Sequence, residues 1–397
     1  MPDGDPEVSA MILSGGGAYA AYEIGVMRAL FSGKAPSTGY QPLKPGVIAG
    51  TSSGAFSAAL LTSIYDSDPD TAAERVADVW LNEVADQQDG CGNGVFRYRA
   101  NPFEGFGEQC YGERRGELLP RFANDSLFLT ENLIRRGTQF FTSPSSLQQR
   151  LLELPDLSTI ISTEPFARLV RRTVSLDLIR SSSIKLAIPA TNWKTGDLHI
   201  FDNQQMEDSS GHEIIRASAS VPGIFPSVDI HDEPYVDGGV VMNSPLKPAI
   251  DLSASVLHIV YINPDVVNIP LPKIRSTLNA LFRALVINLA TSANSDIELA
   301  RQVNLGIQIM RRPETLRTTS ELRVLIRQIS GIARHIAQNT SAYRLLTVHR
   351  YHPRELYGGL FQWLSFGREH VLTLMQQGFA DTLMHDCKAN GCVLHEG

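Results

Sequence analysis

The pentapeptide Gly50-Thr51-Ser52-Ser53-Gly54 constrains this chain more than any other stretch. Apolar residues 47–49 precede it and small residues 55–61 follow it, which predicts a buried strand, a sharp turn and a helix. Glycines two positions before and two positions after Ser52 let the backbone turn tightly. Such a turn presents the Ser52 side chain at the end of a sheet, beside the first amides of the helix. On its own, the pentapeptide also fits a strand–helix corner without chemistry.

A second glycine-rich turn lies near the N-terminus. An apolar strand at residues 10–13 ends in Ser14-Gly15-Gly16-Gly17-Ala18, and a helix is predicted over residues 19–31. A dinucleotide site requires an acidic residue about 20 positions later, and a phosphate-binding loop requires Gly-Lys-Ser/Thr. Neither pattern is present. The third interpretation is a run of backbone amides aimed at an oxyanion. The next strand supports it by delivering Ser52 to the sheet edge where ligands of parallel sheets gather.

Composition limits the classes of protein to be considered. The chain has 397 residues and a formal net charge of −7, so it lacks the basic surface that nucleic-acid binding requires. The acidic N-terminus lacks a signal-peptide pattern, and the apolar stretch 278–293 contains Arg283 and is too short to span a bilayer. We therefore expect a soluble, cytoplasmic protein, with a peripheral position at membranes left open and an oligomeric state that the sequence does not give.

The order of predicted elements indicates an α/β fold with an appended part. Predicted strands at residues 184–191, 198–201, 228–230, 235–236 and 255–263 follow the two glycine-rich turns. We expect a catalytic domain at residues 1–265, in which residues 65–180 form a cap or lid insertion. Residues 266–397 are expected to form a mostly helical C-terminal lobe packed on that core, with one further strand at 343–349 and a final helix at 368–383.

The cysteines do not indicate a disulfide framework, because four in a chain of this length are too few. Cys387 and Cys392 lie near His385 and His395, which is a weak indication of a metal site. Without a second pair of matching spacing nearby, an ordinary tail is favoured over structural zinc. We expect neither a metal nor a cofactor.

Asp237 is the candidate partner of Ser52. It follows an apolar strand and precedes Gly238 and Gly239, a corner where a turn aspartate is also common. The three motifs, taken in order with Ser14-Gly15-Gly16-Gly17-Ala18 first, resemble those of the patatin-like phospholipase family. The segment 216–226, a short helix followed by a proline-rich bend, is also similar to that family. The resemblance covers roughly residues 8–262.

The resemblance implies a three-layer α/β/α sandwich with a mainly parallel central sheet. It also implies a serine–aspartate dyad that hydrolyses ester bonds of lipids or phospholipids without histidine, metal or cofactor. Ser52 would be the nucleophile and Asp237 the general base, and the amides of Gly15, Gly16 and Gly17 would form the oxyanion hole. Gly50, Gly54, Gly238 and Gly239 would support the two turns. The family commonly has a basic residue where this chain has Tyr19, which puts substrate choice and activity in question.

Two alternatives to this interpretation remain, together with one open question about an aromatic segment. An α/β-hydrolase with a Ser-Asp-His triad could use His335, His349 or His352, although none follows a core strand in an obvious loop. A non-catalytic protein could bind a lipid or a partner protein on the same scaffold. Finally, the aromatic segment at residues 361–366 could face a lipid or micelle surface, although packing of the last helix onto the core is the more general expectation.

Overall fold

The structure is a computed structural model that describes residues 7–86, 93–99, 125–128, 130, 161–262, 287, 291, 294–305, 307, 344–353 and 360–394. The strands are β1 Ser9–Leu13, β2 Val47–Gly50, β3 Arg97–Tyr98, β4 Ile161–Ser162, β5 Lys185–Asn192, β6 Leu198–Phe201, β7 Val228–Ile230, β8 Glu233–Asp237, β9 Val256–Val260 and β10 Thr347–Tyr351. The α-helices are α1 Ala21–Phe31, α2 Ser53–Tyr65, α3 Ala72–Val79, α4 Glu164–Thr173, α5 Leu176–Ser181, α6 Gly211–Ser218, α7 Leu246–Asp251 and α8 Arg368–Leu383. A π-helical turn, Trp80–Val84, continues α3.

Eight strands form one mixed sheet in the order β10-β9-β1-β2-β5-β8-β7, with β6 also paired to β5. The pairs from β10 across to β5 are parallel. The pairs β5–β6, β5–β8 and β7–β8 are antiparallel. Strands β3 and β4 form a separate two-stranded sheet. The sheet is therefore mainly parallel at its centre, which confirms the predicted fold class.

Helices cover both faces of the central strands. Alternate side chains of a strand point to opposite faces of the sheet, so each face packs against its own layer of helices. Met11 and Leu13 of β1 belong to one buried cluster with residues of α1, α2 and α8. Ala10 and Ile12 belong to a second cluster with α7 and residues 297–307. These two cores on either side of one sheet make the three-layer sandwich.

Helices α1 and α8 pack with their backbones in contact. A Cβ atom on Gly25 would lie 1.9 Å from the Met375 carbonyl oxygen, and one on Gly378 would lie 2.0 Å from the Tyr22 carbonyl oxygen. Only glycine fits at either position. This close approach accounts for a glycine in the middle of α1, and it ties α8 to the helix that follows the first glycine-rich turn.

The proposed division at residue 265 stays a prediction. Beyond it, β10 extends the main sheet and α8 packs on α1, while the predicted helices at 278–289 and 321–336 lie mostly or wholly outside the described residues. Most of the predicted cap, including helices at 129–136 and 146–154, also lies outside them. Helix α5 was not predicted. No helix in the described part of the chain is long and apolar enough to cross a membrane.

Candidate active site

Ser52 occupies a strained turn between β2 and α2. Its backbone has φ 57° and ψ −126°, a conformation that a residue with a side chain adopts only when its surroundings enforce it. The flanking glycines permit the turn. A Cβ atom on Gly50 would lie 2.3 Å from the Gly54 carbonyl oxygen, and one on Gly54 would lie 2.7 Å from the Leu13 carbonyl oxygen. The predicted strand–turn–helix geometry is therefore present, with Ser52 5% exposed.

Asp237 ends β8, which pairs with β5. The Asp237 amide donates a hydrogen bond to the Ser220 carbonyl at 2.9 Å, and Thr191 Oγ1 donates one to the Asp237 carbonyl at 3.1 Å. Gly238 packs so closely that a Cβ there would lie 2.4 Å from the Pro189 carbonyl oxygen. Asp237 is thus held at a fixed place and is 4% exposed.

The two oxygens of the Asp237 carboxylate differ in their hydrogen bonds. Oδ1 accepts a hydrogen bond from the Gly239 amide at 2.7 Å, whereas Oδ2 makes no hydrogen bond of ordinary geometry. Burial raises the pKa of this carboxyl to about 7, against the opposing effect of the Ser52 hydroxyl and the Gly239 amide. The Ser52 hydroxyl therefore lies close enough to affect this carboxyl group, without a hydrogen bond of ordinary geometry.

The first glycine-rich turn passes directly over Ser52. A Cβ atom on Gly15 would lie 2.7 Å from Ser52 Cβ and 2.7 Å from Asn243 Oδ1. The Gly15 amide donates to Asn243 Oδ1 at 3.2 Å, and Asn243 Nδ2 donates to the Gly15 carbonyl at 3.4 Å. Asn243 therefore fastens this turn to the loop after Gly239. The sequence did not reveal that role, because the partner, Gly15, lies 228 positions away.

The three glycine amides differ in what they contact. The Gly16 amide donates to Ser53 Oγ at 3.1 Å, and Gly15 donates to Asn243. For the Gly17 amide, and for the Ser53 amide at the start of α2, no acceptor is found among the described residues. Gly17 has φ +58°, and both residues line the same cleft as Ser52.

Glu23 is a second residue that the sequence did not single out. It lies on α1 with 0% exposure, and its Oε1 accepts a hydrogen bond from the Ser14 amide at 2.6 Å. Burial raises the pKa of this carboxyl well above its ordinary value, against the effect of the Ser14 amide. Ser14 Oγ in turn lies 2.7 Å from Ser244 Oγ. Glu23 and Ser244 thus hold the start of the glycine-rich turn.

An apolar cleft of about 660 Å³, part of it open to solvent, leads to Ser52. Arg216, which pairs with Glu213, is the charged residue among those described on its wall, and no histidine occurs among them. Aromatic and aliphatic side chains make most of the lining: Phe56, Trp80, Val84, Val95, Phe166, Val221, Phe225, Trp363, Leu364 and Phe366. Such a lining suits an apolar group with its reacting carbon beside Ser52.

The aromatic segment before α8 packs inward. Phe366 is 4% exposed and belongs to the main core, while Trp363 and Leu364 pack against that core and line the cleft. The Trp363 carbonyl covers Gly17, since a Cβ on that glycine would lie 2.4 Å from it. The side chain of Phe361 lies outside the described residues. Tyr19, at the position that is basic in the family, packs edge-on against His370 at 5.8 Å between ring centroids.

The chain resembles known proteins at the level of a family model and of two solved structures. The model described as patatin-like phospholipase matches residues 11–250. VipD from Legionella pneumophila is similar with 15% sequence identity and a TM-score of 0.36, over 94% of this chain and 67% of VipD. The complex of full-length SpcU and ExoU from the type III secretion system of Pseudomonas aeruginosa contains a chain similar at 15% identity and a TM-score of 0.26, over 94% of this chain and 71% of that one. Among curated proteins none matches this sequence.

Proposed function

Since this chain belongs to the patatin-like phospholipase family, we propose that it is a serine acyl hydrolase that cleaves ester bonds of lipids, with Ser52 as nucleophile and Asp237 as general base. One observation carries the proposal: a buried serine on a strained turn faces a buried carboxylate whose Oδ2 has no ordinary hydrogen bond among the described residues. With one oxygen unpaired among the described residues, this carboxylate is available to accept the serine proton.

The proposed reaction has two halves. Ser52 Oγ attacks the ester carbonyl carbon while its proton passes to Asp237, and the tetrahedral adduct collapses to an acyl-serine as the leaving alcohol takes the proton back from Asp237. A water molecule then attacks the acyl carbon and gives its proton to Asp237. The second adduct releases the fatty acid, and Ser52 recovers its hydroxyl proton from Asp237.

We place the oxyanion donors at the Gly17 and Ser53 amides. Both line the cleft, and neither has an acceptor in the described part of the chain. A pair made of the residue after the nucleophile and a residue of a separate loop is a common arrangement for acyl transfer. Gly15 has a different role in this proposal, because its amide is bonded to Asn243 and its lack of a Cβ lets the loop approach Ser52. Gly16 supports the loop through Ser53 Oγ.

The absence of histidine from the described lining of the cleft favours the dyad over a Ser-Asp-His triad. Of the three histidines considered above, His349 stacks on His258 in the sheet with 5.0 Å between ring centroids. His352 contacts the Pro353 carbonyl at 3.3 Å. His335 lies outside the described residues. No observation places a histidine beside Ser52.

The direct test is hydrolysis of a fluorogenic short-chain ester and of mixed phospholipids by purified protein, with Ser52→Ala as the control. We expect release of free fatty acid by the wild type alone, and lipid profiling of the products would identify the ester bond and head group. No product above background from either protein, together with binding of lipid by both, would instead support the non-catalytic interpretation.

We expect turnover to rise with pH through about 7 and then to level off. The base must be ionised to accept the Ser52 proton, and burial raises the pKa of Asp237 to about 7, so the active fraction grows as the pH passes that value. The pH dependence of kcat/KM for a soluble ester at several temperatures measures this. A carboxyl pKa changes little with temperature, whereas a pKa that falls on warming would indicate a histidine base.

The apolar cleft predicts a preference for long acyl chains. Val84 is 2% exposed and lines the cleft. We therefore expect Val84→Phe to reduce kcat/KM for a long-chain ester by about tenfold, because each lost methylene contact costs about 0.8 kcal/mol. The kcat/KM for an acetate ester should stay nearly unchanged. Val241→Phe, at a position 53% exposed, is the matched control. An equal loss for both substrates would show that the substitution disturbs Ser52 rather than the acyl site.

A further inference from the structure

Two histidines and two cysteines converge at the edge of the sheet, away from the active site. His349 lies on β10, and His385, Cys387 and Cys392 follow α8. One ligand atom from each residue lies within 4.8 Å of every other. The sequence favours an ordinary tail here, because no second pair of matching spacing lies near Cys387 and Cys392. The fourth side chain comes instead from a strand 38 positions before Cys387. Folding brings His349 to the tail and completes the set.

We propose that these four side chains form a structural zinc site that fastens the C-terminal tail to β10. Two thiols and two imidazoles are the donor set of closed, four-coordinate zinc centres. His385-x-Cys387 and Cys387-x₄-Cys392 give the short ligand spacing typical of such sites. The site is separate from the proposed hydrolase activity, and its failure or success would leave that proposal untouched.

Three of the six distances between the ligand atoms match those of a tetrahedral zinc site. Cys387 Sγ lies 3.4 Å from His349 Nδ1 and 3.5 Å from His385 Nε2, and Cys392 Sγ lies 3.4 Å from His385 Nε2. Zinc binds sulfur at about 2.3 Å and nitrogen at about 2.0–2.1 Å, so tetrahedral coordination separates the two atoms by about 3.6 Å. The other three pairs of ligand atoms lie within 4.8 Å, so the side chains must draw together by at most about 1 Å to receive the ion.

The surroundings suit a thiolate-bound cation. The Arg350 amide donates to Cys392 Sγ at 3.4 Å, and its guanidinium lies near the turn, within 3.5 Å of where a Cβ on Gly391 would be. Both groups stabilise negative sulfur. Two thiolates and Zn²⁺ form an electrically neutral set, which reduces the cost of burial.

The tail is already shaped to hold the ligands. Asp386 Oδ1 accepts from the Lys388 amide at 2.8 Å, and Gly391 has φ +67°. The Cys392 amide donates to the Cys387 carbonyl at 2.9 Å, which closes the turn between the two thiols. Val393 then pairs with Val348 of β10 through hydrogen bonds of 2.7 and 2.9 Å. The tail thus covers the edge strand where the ligands meet.

Nδ1 of His385, the ring nitrogen that does not face the two thiols, leads to a specific expectation about Asn390. Asn390 Nδ2 lies 3.1 Å from His385 Nδ1 and 3.1 Å from the Arg350 carbonyl. A histidine that binds zinc through Nε2 carries its proton on Nδ1 and donates it to a neighbouring acceptor. With zinc bound, the Asn390 side chain must therefore rotate to present its oxygen to His385 and give up its hydrogen bond to the Arg350 carbonyl.

The test is the metal content of untagged full-length protein purified without chelator, and zinc uptake by the same protein after chelation and reduction. We expect one equivalent of Zn²⁺ per chain, and a thiolate-to-metal absorption band when Co²⁺ replaces it. Cys392→Ser and His349→Gln should each abolish this binding at low-micromolar free zinc. His199→Gln, at an exposed histidine outside the cluster, should retain it.

A second measurement needs no variant. In the native wild type, alkylation of Cys387 and Cys392 followed by mass spectrometry should show both thiols protected with Zn²⁺ present and both modified once a chelator is added. Absence of zinc binding by the reduced protein would overturn the proposal. So would a Cys387–Cys392 disulfide that a reductant opens and a chelator does not, because it would show that the two thiols pair with each other.

Discussion

Asp237→Asn will reduce ester turnover by several orders of magnitude while leaving the protein folded. The substitution keeps the size of the side chain and the Oδ1 acceptor of the Gly239 amide, but it removes the basic lone pair that takes the Ser52 proton. Loss of the nucleophile or base of a serine protease costs about 10⁶ in turnover, which sets the scale. Initial rates on a soluble fluorogenic ester, compared with Ser52→Ala, measure the effect.

The same variant should be more stable than the wild type at alkaline pH, which separates a chemical loss from misfolding. Folding raises the pKa of Asp237 from 3.8 to about 7, so the folded state holds the proton more tightly than the unfolded state. The wild type therefore loses stability as the pH rises from 3.8 through about 7, and asparagine avoids that loss. The stability advantage of the variant in urea unfolding should be larger at about pH 8 than at about pH 5, by on the order of a few kcal/mol.

Histidine variants complete this test. If Asp237 is the base, no substitution among the ten histidines should approach the effect of Ser52→Ala on the same ester. His335 is the most informative position, because it was a candidate base and its surroundings are not described. An inactive and folded His335→Gln beside an active Asp237→Asn would overturn the dyad and restore the triad.

The sequence predicted the central fold and the turns because their determinants are local. Apolar runs of four to eight residues, bounded by glycine or proline, gave β1, β2 and the β7–β8 hairpin nearly to their observed ends. The positive φ of Ser52 follows from its position between Gly50 and Gly54. Helix α8 begins and ends at the predicted residues 368 and 383, because its boundaries are marked by Gly367 before it and a polar, cysteine-containing tail after it.

The supporting contacts of the site were not predictable in the same way. Asn243 bonds to Gly15 across 228 positions, and nothing in its neighbourhood distinguishes it from an ordinary helix-start residue. Glu23 looks like a surface position in the sequence, yet it faces the Ser14 amide in the core. His349 reaches the tail cysteines only because β10 pairs with β9. In each case the order of the strands in the sheet decides which distant residue becomes the contact partner. Short spacings within a single sequence do not reveal that order.

Gly17→Ala will reduce turnover on the order of 10²–10³-fold, the scale of losing one oxyanion donor. A Cβ at this position would lie 2.4 Å from the Trp363 carbonyl oxygen, and since backbone cannot yield as a flexible side chain does, the loop and its amide must shift away from Ser52. Gly39→Ala is the matched control, because Gly39 has nearly the same φ, +60° against +58°, with no atom within 4 Å of its Cβ position. Both variants bear the same left-handed strain of about 1–2 kcal/mol, so the difference between them isolates the loop.

The loss should fall on kcat rather than KM, since the oxyanion exists only in the transition state. If both variants are fully folded and turn over the ester at equal rates, the Gly17 amide is not an oxyanion donor. The Ser53 amide would then act with another donor.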